Sequence, residues 1–435
     1  PTKQSFARGG GLESTKPGLQ STANKGISNA ILMRSSLSHT SLTAALAAAV
    51  VLLAALPTAR AADWPQWRGP TRNGISSETG WRSQWTGAGP RRLWSLSVGQ
   101  GFSSLAVKDG RVYTMGHEGG RDIVTCANAL TGKVVWQHRY PCESGDYPGP
   151  RATPTLHEGR VYTFSREGLA LCLDAATGKP LWQRPLGREG GEAPNWGYAG
   201  SPLIQGDLVI YNAGASGIAL DKKTGRIVWK GEAGKAGYAS PVAFTGVGGQ
   251  SGVAIFSDKG LVAVDARSGR RLWQHPWETS FDVNAADPIF SGDTVFISSN
   301  YGKGGALLRL SGGRPAVVWE NRNMRNHVNT SVLVGGALYG NDENTLKCID
   351  LRTGAERWRM RGMGKGGLIA ADGKLLVLTE RGELVIVRAT PNQFTELARA
   401  KVIDGTCWTH PVLANGLVYC RSQEGTLVCV DLRGG

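Results

Sequence analysis

The sequence predicts an all-β chain: an eight-bladed β-propeller of four-stranded antiparallel blades, its ring closed by an N-terminal strand. Three observations predict it. A nonapeptide, DAATGKPLW at 174–182, returns as DKKTGRIVW, DARSGRRLW and DLRTGAERW, ending at Trp229, Trp273 and Trp358, with looser copies ending at Trp136 and Trp319. Trp94, Trp136, Trp182, Trp229, Trp273, Trp319 and Trp358 then lie 42, 46, 47, 44, 46 and 39 residues apart, and Leu397 stands 39 further on where an eighth Trp is expected. Units of about 40–47 residues have the length of one propeller blade. Finally, the two ends complement each other: the last unit stops at Gly435 just after its turn, and RRLWSLSVG at 91–99 supplies the missing strand.

Within a unit the elements follow in a fixed order. A lead-in such as AGSPLIQGD or THPVLANG opens a short apolar strand, VYTF or VFIS forms a second, and LALCLD or LVAVD a third with period-2 alternation. The Asp-x-x-Thr-Gly turn follows. Its Asp accepts hydrogen bonds from backbone N–H groups two and three residues on, and its Gly supplies a positive φ. The fourth strand ends at the Trp, whose flat side chain is expected between neighbouring sheets. One such sheet cannot cover both of its faces, so blades stack around a ring, and closure by the 91–99 strand removes two open edges. A Gly count of 61 in 435 agrees with many tight turns, and a 41% apolar fraction with a sizeable core.

The first 61 residues read as an address. From Met33, one early Arg, an apolar run at 42–56 and the small-x-small end Ala59-Arg60-Ala61 form a secretory signal peptide, with cleavage near Ala61-Ala62. The run is short for a membrane span, and no Cys follows it to carry a lipid anchor. Residues 1–32 are read as a disordered leader or as an upstream over-extension of the reading frame. Residues 62–90 form an N-terminal extension packed on the ring, stapled through Trp64 and Trp67, and 91–435 the propeller. A periplasmic or secreted location follows. The formal charge of +15 falls to +10 without residues 1–61, because six of 49 Lys/Arg and one of 34 Asp/Glu leave with them. That excess is scattered, and with export it argues against nucleic acid as a partner.

Repeats of this type, eight to a ring, resemble the pyrroloquinoline-quinone (PQQ)-like propellers over about 91–435. The lead-in DWPQWRGPTRNGISSETG at 63–80 is similar to the opening of exported quinoprotein-like repeat proteins of planctomycete-type bacteria. The superfamily holds quinone-dependent alcohol and sugar dehydrogenases. It also holds non-enzymatic members such as the propeller lipoprotein of the outer-membrane β-barrel assembly machinery, so fold does not choose the function.

Function is expected where the lead-in loops converge on the central channel. They gather Tyr147, Asn195, Tyr198 and Tyr238 with His327, Asn329 and His410, a set of aromatic and hydrogen-bonding groups suited to a planar polar ligand or a peptide. If the resemblance extends to the enzymes, FDVNAAD offers Asp282, Asn284 and Asp287 as oxygen ligands for Ca²⁺, with Asp287 as base. Arg151 or Arg325 would pair with the carboxylates of the quinone, and Trp196 or Trp408 would stack on its ring. Three features depart from the enzymes: no adjacent Cys pair, no C-x-x-C-H for a c-type haem, and short mouth loops. No G-x-S-x-G, H-E-x-x-H or phosphate-binding Gly loop stands in a fitting context.

Of the seven cysteines, Cys126, Cys172, Cys348 and Cys429 stand six residues before the turn Gly, the place of Ala219 and Ala263, and read as small core residues. A disulfide among Cys142, Cys407 and Cys420 stays open. Arg357, Arg359 and Arg361 read as charge protecting an edge strand. The expectation is therefore a monomeric, non-catalytic binding or scaffold ring for envelope or periplasmic proteins. The alternative is a PQQ- and Ca²⁺-dependent dehydrogenase with its site at the channel mouth.

Overall fold

Each repeat folds as a four-stranded antiparallel meander. The first blade runs Ala106–Lys108, Arg111–Glu118, Arg121–Asn128 and Val134–Pro141, and all eight sheets keep strands in sequence order except where the chain ends meet. The computed structural model describes residues 62–85, 87, 89–311 and 314–434; the leader and signal peptide expected over 1–61 lie outside the described residues. The eight-bladed, all-β architecture is the one expected. Arg92–Ser97 pairs antiparallel with Thr426–Asp431, Trp94 opposite Cys429, so the N-terminal strand completes the last blade.

The recurring turn explains why blades stack. Asp174 Oδ1 accepts from the N–H groups of Ala176 and Thr177 at 3.1 and 2.8 Å and from Thr177 Oγ1 at 2.7 Å, and Asp221 and Asp265 repeat the pattern. These donors hold the Asp174 carboxyl below the usual range. The turn then presents a backbone carbonyl to the Trp of the preceding blade. Trp136 Nε1 donates to Ala175 O and Trp182 Nε1 to Lys222 O, each at 3.1 Å. Core clusters accordingly straddle neighbours: Tyr113, Cys126 and Trp136 of one blade pack with Val161, Leu171 and Leu173 of the next.

Two expectations about these positions change. The eighth Trp place belongs to Ala398, not Leu397, because a bulge shifts register just before it and Ala398 falls opposite Ile386. A small residue there faces a large one, the reverse of Trp136 opposite Cys126 or Trp182 opposite Cys172. The disulfide left open does not form: all seven cysteines are free and buried. On the edge strand Glu356–Arg361, Arg357 pairs with Asp350 and Arg359 with Glu356, so these charges are locally balanced.

Residues 64–78 cross the ring. Trp64 exchanges backbone hydrogen bonds with Val107, and Leu156 N donates to Pro65 O. Arg72 reaches Pro202 O, Ile75–Ser76 adds a parallel strand to Gly367–Ala371, and Glu78 accepts from the backbone N–H groups of Asn415 and Gly416. This segment touches innermost strands or their lead-ins around most of the ring. No helix among the described residues is long and apolar enough to cross a membrane.

Candidate functional site at the channel mouth

Because the strands of a blade alternate in direction, the loops entering the first strand and the hairpins joining the second and third share one rim. The Asp turns lie on the other. A cavity of about 400 Å³ opens at the first rim. Trp67, carried in by the crossing segment, lies on its lining: Trp67 Nε1 donates to Asp287 Oδ2 at 2.6 Å, and its ring meets His410 edge-on at 4.7 Å. Asp287 also accepts from Ser240 N at 2.8 Å, and Arg68 Nε lies 4.0 Å away. Burial raises the Asp287 carboxyl while Arg68 and Arg72 oppose the rise. Arg68 itself is held by Thr330 O and Ser331 O, and burial pushes it down to about 10, which leaves it charged at neutral pH.

The walls are aromatic. Phe102 stacks on Trp408 with centroids 5.7 Å apart; Arg151 lies over the Phe102 ring at 5.4 Å and Lys365 over Trp408 at 5.3 Å. Trp408 is fixed by its indole N–H, which donates to Glu380 Oε1 at 2.6 Å. Opposite groups are tied just as closely: Tyr238 Oη accepts from Trp196 N at 3.2 Å, and Tyr301 Oη lies 3.1 Å from His327 Nε2. Burial first, then Lys365, pushes His327 down to about 4, so its imidazole is neutral. At the rim, Tyr147 and Phe281 stand 53% and 62% exposed on backbone at φ +53° and +65°, a conformation bulky residues rarely adopt.

The residues singled out from sequence divide between the lining and its surroundings. Tyr147, Arg151, Trp196 and Tyr238 face the cavity, and so do Asp287, His327, Asn329 and Trp408. Asn195 instead bridges Lys235 and Phe281 O, Tyr198 is buried against Phe164, and His410 stands behind Trp67. Arg325 is engaged by Asp342 at 2.7 Å. Sequence reasoning missed Trp67, Phe102 and Lys365 as lining groups, along with Asn300, Tyr301 and Glu343. The last three sit on second-to-third-strand hairpins, which the alternation of strand direction places on the mouth rim.

The donors proposed for Ca²⁺ are otherwise committed. Asn284 is fully buried; its Oδ1 accepts from Ser299 Oγ at 2.7 Å, and its Nδ2 donates to Ser257 O, Asp258 O and Trp277 O. Asp282 pairs with Lys235 at 2.9 Å, and Asp287 is held by Trp67, Ser240 and Arg68. Of the three, only Asp287 lines the cavity. These residues do not fit a Ca²⁺–quinone pair, and no three His, Cys, Asp or Glu side chains cluster to hold a metal among the described residues.

Fold and site together define an eight-bladed PQQ-like propeller with an aromatic, cation-flanked mouth. The family described as outer membrane protein assembly factor BamB matches residues 121–360, more than half of the chain, and the chain belongs to that family. It is 25% identical over 364 residues to outer membrane protein assembly factor BamB of Burkholderia pseudomallei, spanning 77% of this chain and 86% of that protein. Among solved structures it resembles BamB from Moraxella catarrhalis, with a TM-score of 0.61 at 18% identity over 79% of this chain and 99% of that one. The quinohemoprotein alcohol dehydrogenase of Comamonas testosteroni gives 0.62 at 15% over 90% and 84%. At such identities the structural likeness is one of fold alone.

Proposed function

We propose that the protein is an exported, non-catalytic binding and scaffold module of the periplasm or cell envelope that serves outer-membrane protein assembly, with the channel mouth as its contact face. The single observation that carries the mouth assignment is the ring of accessible aromatics around the cavity, with Tyr147, Phe281 and Tyr301 exposed together at its rim. Family membership supports the process served. Commitment of Asp282, Asn284 and Asp287 to protein partners weighs against chemistry at the same place.

The test is a photo-crosslinking residue placed at Tyr147 or Phe281 in the exported protein. Adducts with outer-membrane assembly proteins that are absent when the label sits at Arg399, on an outer edge strand, support the reading. Equal labelling from all three positions, or none from the mouth, overturns it.

A quinone- and Ca²⁺-dependent dehydrogenase is the second reading. The flat Phe102–Trp408 face beside Arg151 and Lys365 favours it, since a planar polycarboxylate would suit that wall. The occupied donor set is its weakness.

A further inference from the structure

Residues lining the mouth cavity carry buried polar atoms that the protein itself leaves unsatisfied. Asn300 and Asn329 are 4% and 5% exposed, and both line the cavity. Asn329 Nδ2 donates to Lys365 O at 2.7 Å, which fixes the amide and leaves Oδ1 as a buried acceptor with no partner. Asn300 Oδ1 is likewise buried and unpartnered, and so is His327 Nδ1, whose other ring nitrogen is engaged by Tyr301. A buried polar atom without a partner is costly, so two amide acceptors and an imidazole nitrogen left open at one lining mark a place built to be filled.

The charges make a second, independent statement. Among the described residues neither Arg151 nor Lys365 has a carboxylate within ion-pair distance: Arg151 donates only to Gly149 O and Tyr147 O, and Lys365 contributes its ammonium to the Trp408 face. Arg166 adds positive field at Arg151. Glu343 is the one lining carboxylate besides Asp287, and Asp287 is already matched by Arg68. The opening thus asks for hydrogen-bond donors deep on one side, an anion on the other, and a face to lie on Phe102 and Trp408.

We infer that the mouth binds an acidic saccharide, a sugar ring carrying a carboxylate. Its carboxylate meets Arg151 and Lys365, its C–H face packs on Trp408, and its hydroxyls face the Asn300 and Asn329 side chains of the lining. A cavity of about 400 Å³ is within the ordinary size of a small-ligand site. Asp287 and Trp67 beneath it favour a compact ligand or a chain end over a threaded polymer. This inference rests on the mouth being a binding site, and goes beyond the scaffold reading in naming the chemistry recognised there.

Titration of the chain from Ala62 with digalacturonate, followed by Trp fluorescence and calorimetry, tests it, with cellobiose and an acidic peptide such as Glu-Phe-Glu as comparisons. Saturable binding is expected, at least tenfold tighter than to cellobiose, and weakened tenfold or more in Arg151→Gln and in Lys365→Gln. Asn329→Asp, which places a carboxylate where an acceptor stood, is expected to weaken it as well. Because neither cation is in an ion pair, both Gln variants should still unfold in one cooperative transition within a few degrees of the parent, and that midpoint separates lost contact from lost fold. No saturable binding of digalacturonate, or binding indifferent to both Gln substitutions, overturns the inference. If Glu-Phe-Glu binds and digalacturonate does not, the saccharide assignment fails while the mouth remains a binding site. If neither binds and the mouth yields no crosslinks, both fail.

Discussion

The indole of Trp136 sits against Gly178 of the next blade so closely that a Cβ on that glycine would lie 2.5 Å from the ring, while its N–H donates to Ala175 O in the same turn. Trp94 and Gly132, Trp182 and Gly225, Trp229 and Gly269, and Trp319 and Gly354 repeat the contact. The turn glycine therefore answers two demands, a φ of +73° at Gly178 and an approach that no side chain permits.

Trp136→Ala should destabilise the ring by about 3–5 kcal/mol through the cavity it leaves. Gly178→Ala should lose about 1–2 kcal/mol from the left-handed backbone alone, with the ring clash added. Gly178→Asn separates the two demands, since Asn tolerates the φ yet still meets the indole. Urea midpoints of the three variants should all fall below the parent, with Asn no better than half restored.

The floor of the mouth depends on Asp287. Removing its carboxylate in Asp287→Ala strands Arg68 and the Trp67 N–H in a buried place, and about 3–5 kcal/mol of destabilisation is expected. Asp287→Asn keeps an acceptor and should lose less. Limited proteolysis should show faster cleavage within 62–80 in the Ala variant, because that segment is anchored there.

His410 gives the ring an acid sensitivity of known sign. Burial first, then Arg68, pushes its imidazole down to about 3, whereas in the unfolded chain it titrates near 6.5. Between those values the unfolded state binds the proton and the native state does not, so this contribution is full above pH 6.5 and is lost as pH falls toward 3. Asp287, whose carboxyl burial raises, contributes in the opposite sense. The reading is therefore the difference between parent and His410→Asn, whose stability loss between pH 7 and pH 4 should be smaller by about 3 kcal/mol.

All seven thiols should react after denaturation without reductant and almost none before it. The cysteines are buried, and burial pushes Cys126 and Cys172 up to about 11 and Cys407 and Cys429 up to about 12, which keeps the native thiolate fraction negligible. Counting thiols with a colorimetric disulfide reagent, native against unfolded, checks this.

Much of the fold was legible because the period, the turn and the Trp are local signals repeated along one chain, and the split last blade shows in the ends themselves. The one displaced strand position, Leu397 for Ala398, follows a longer turn loop, and the bulge before each Trp position is set by hydrogen bonding that spacing does not record. At the mouth, spacing assigns a residue to a loop but not a direction to its side chain. Asn284 and Asp287 share one loop, yet Asn284 turns inward to bind three carbonyls while Asp287 reaches the cavity floor. Trp67 was readable as a staple; that it lines the mouth depends on the path of residues 64–78 across the ring.

The most direct test of a mouth that binds without quinone chemistry is a Trp fluorescence titration of the chain from Ala62 with pyrroloquinoline quinone, with and without Ca²⁺. Any quenching should be the same in both series, weakened by Arg151→Gln, and show no Ca²⁺-dependent component, because Asp282 and Asn284 already hold protein partners. Saturable quenching that requires Ca²⁺ and vanishes in Asp287→Asn, with the fold of that variant checked by its unfolding midpoint, would contradict this and make the mouth a quinone centre.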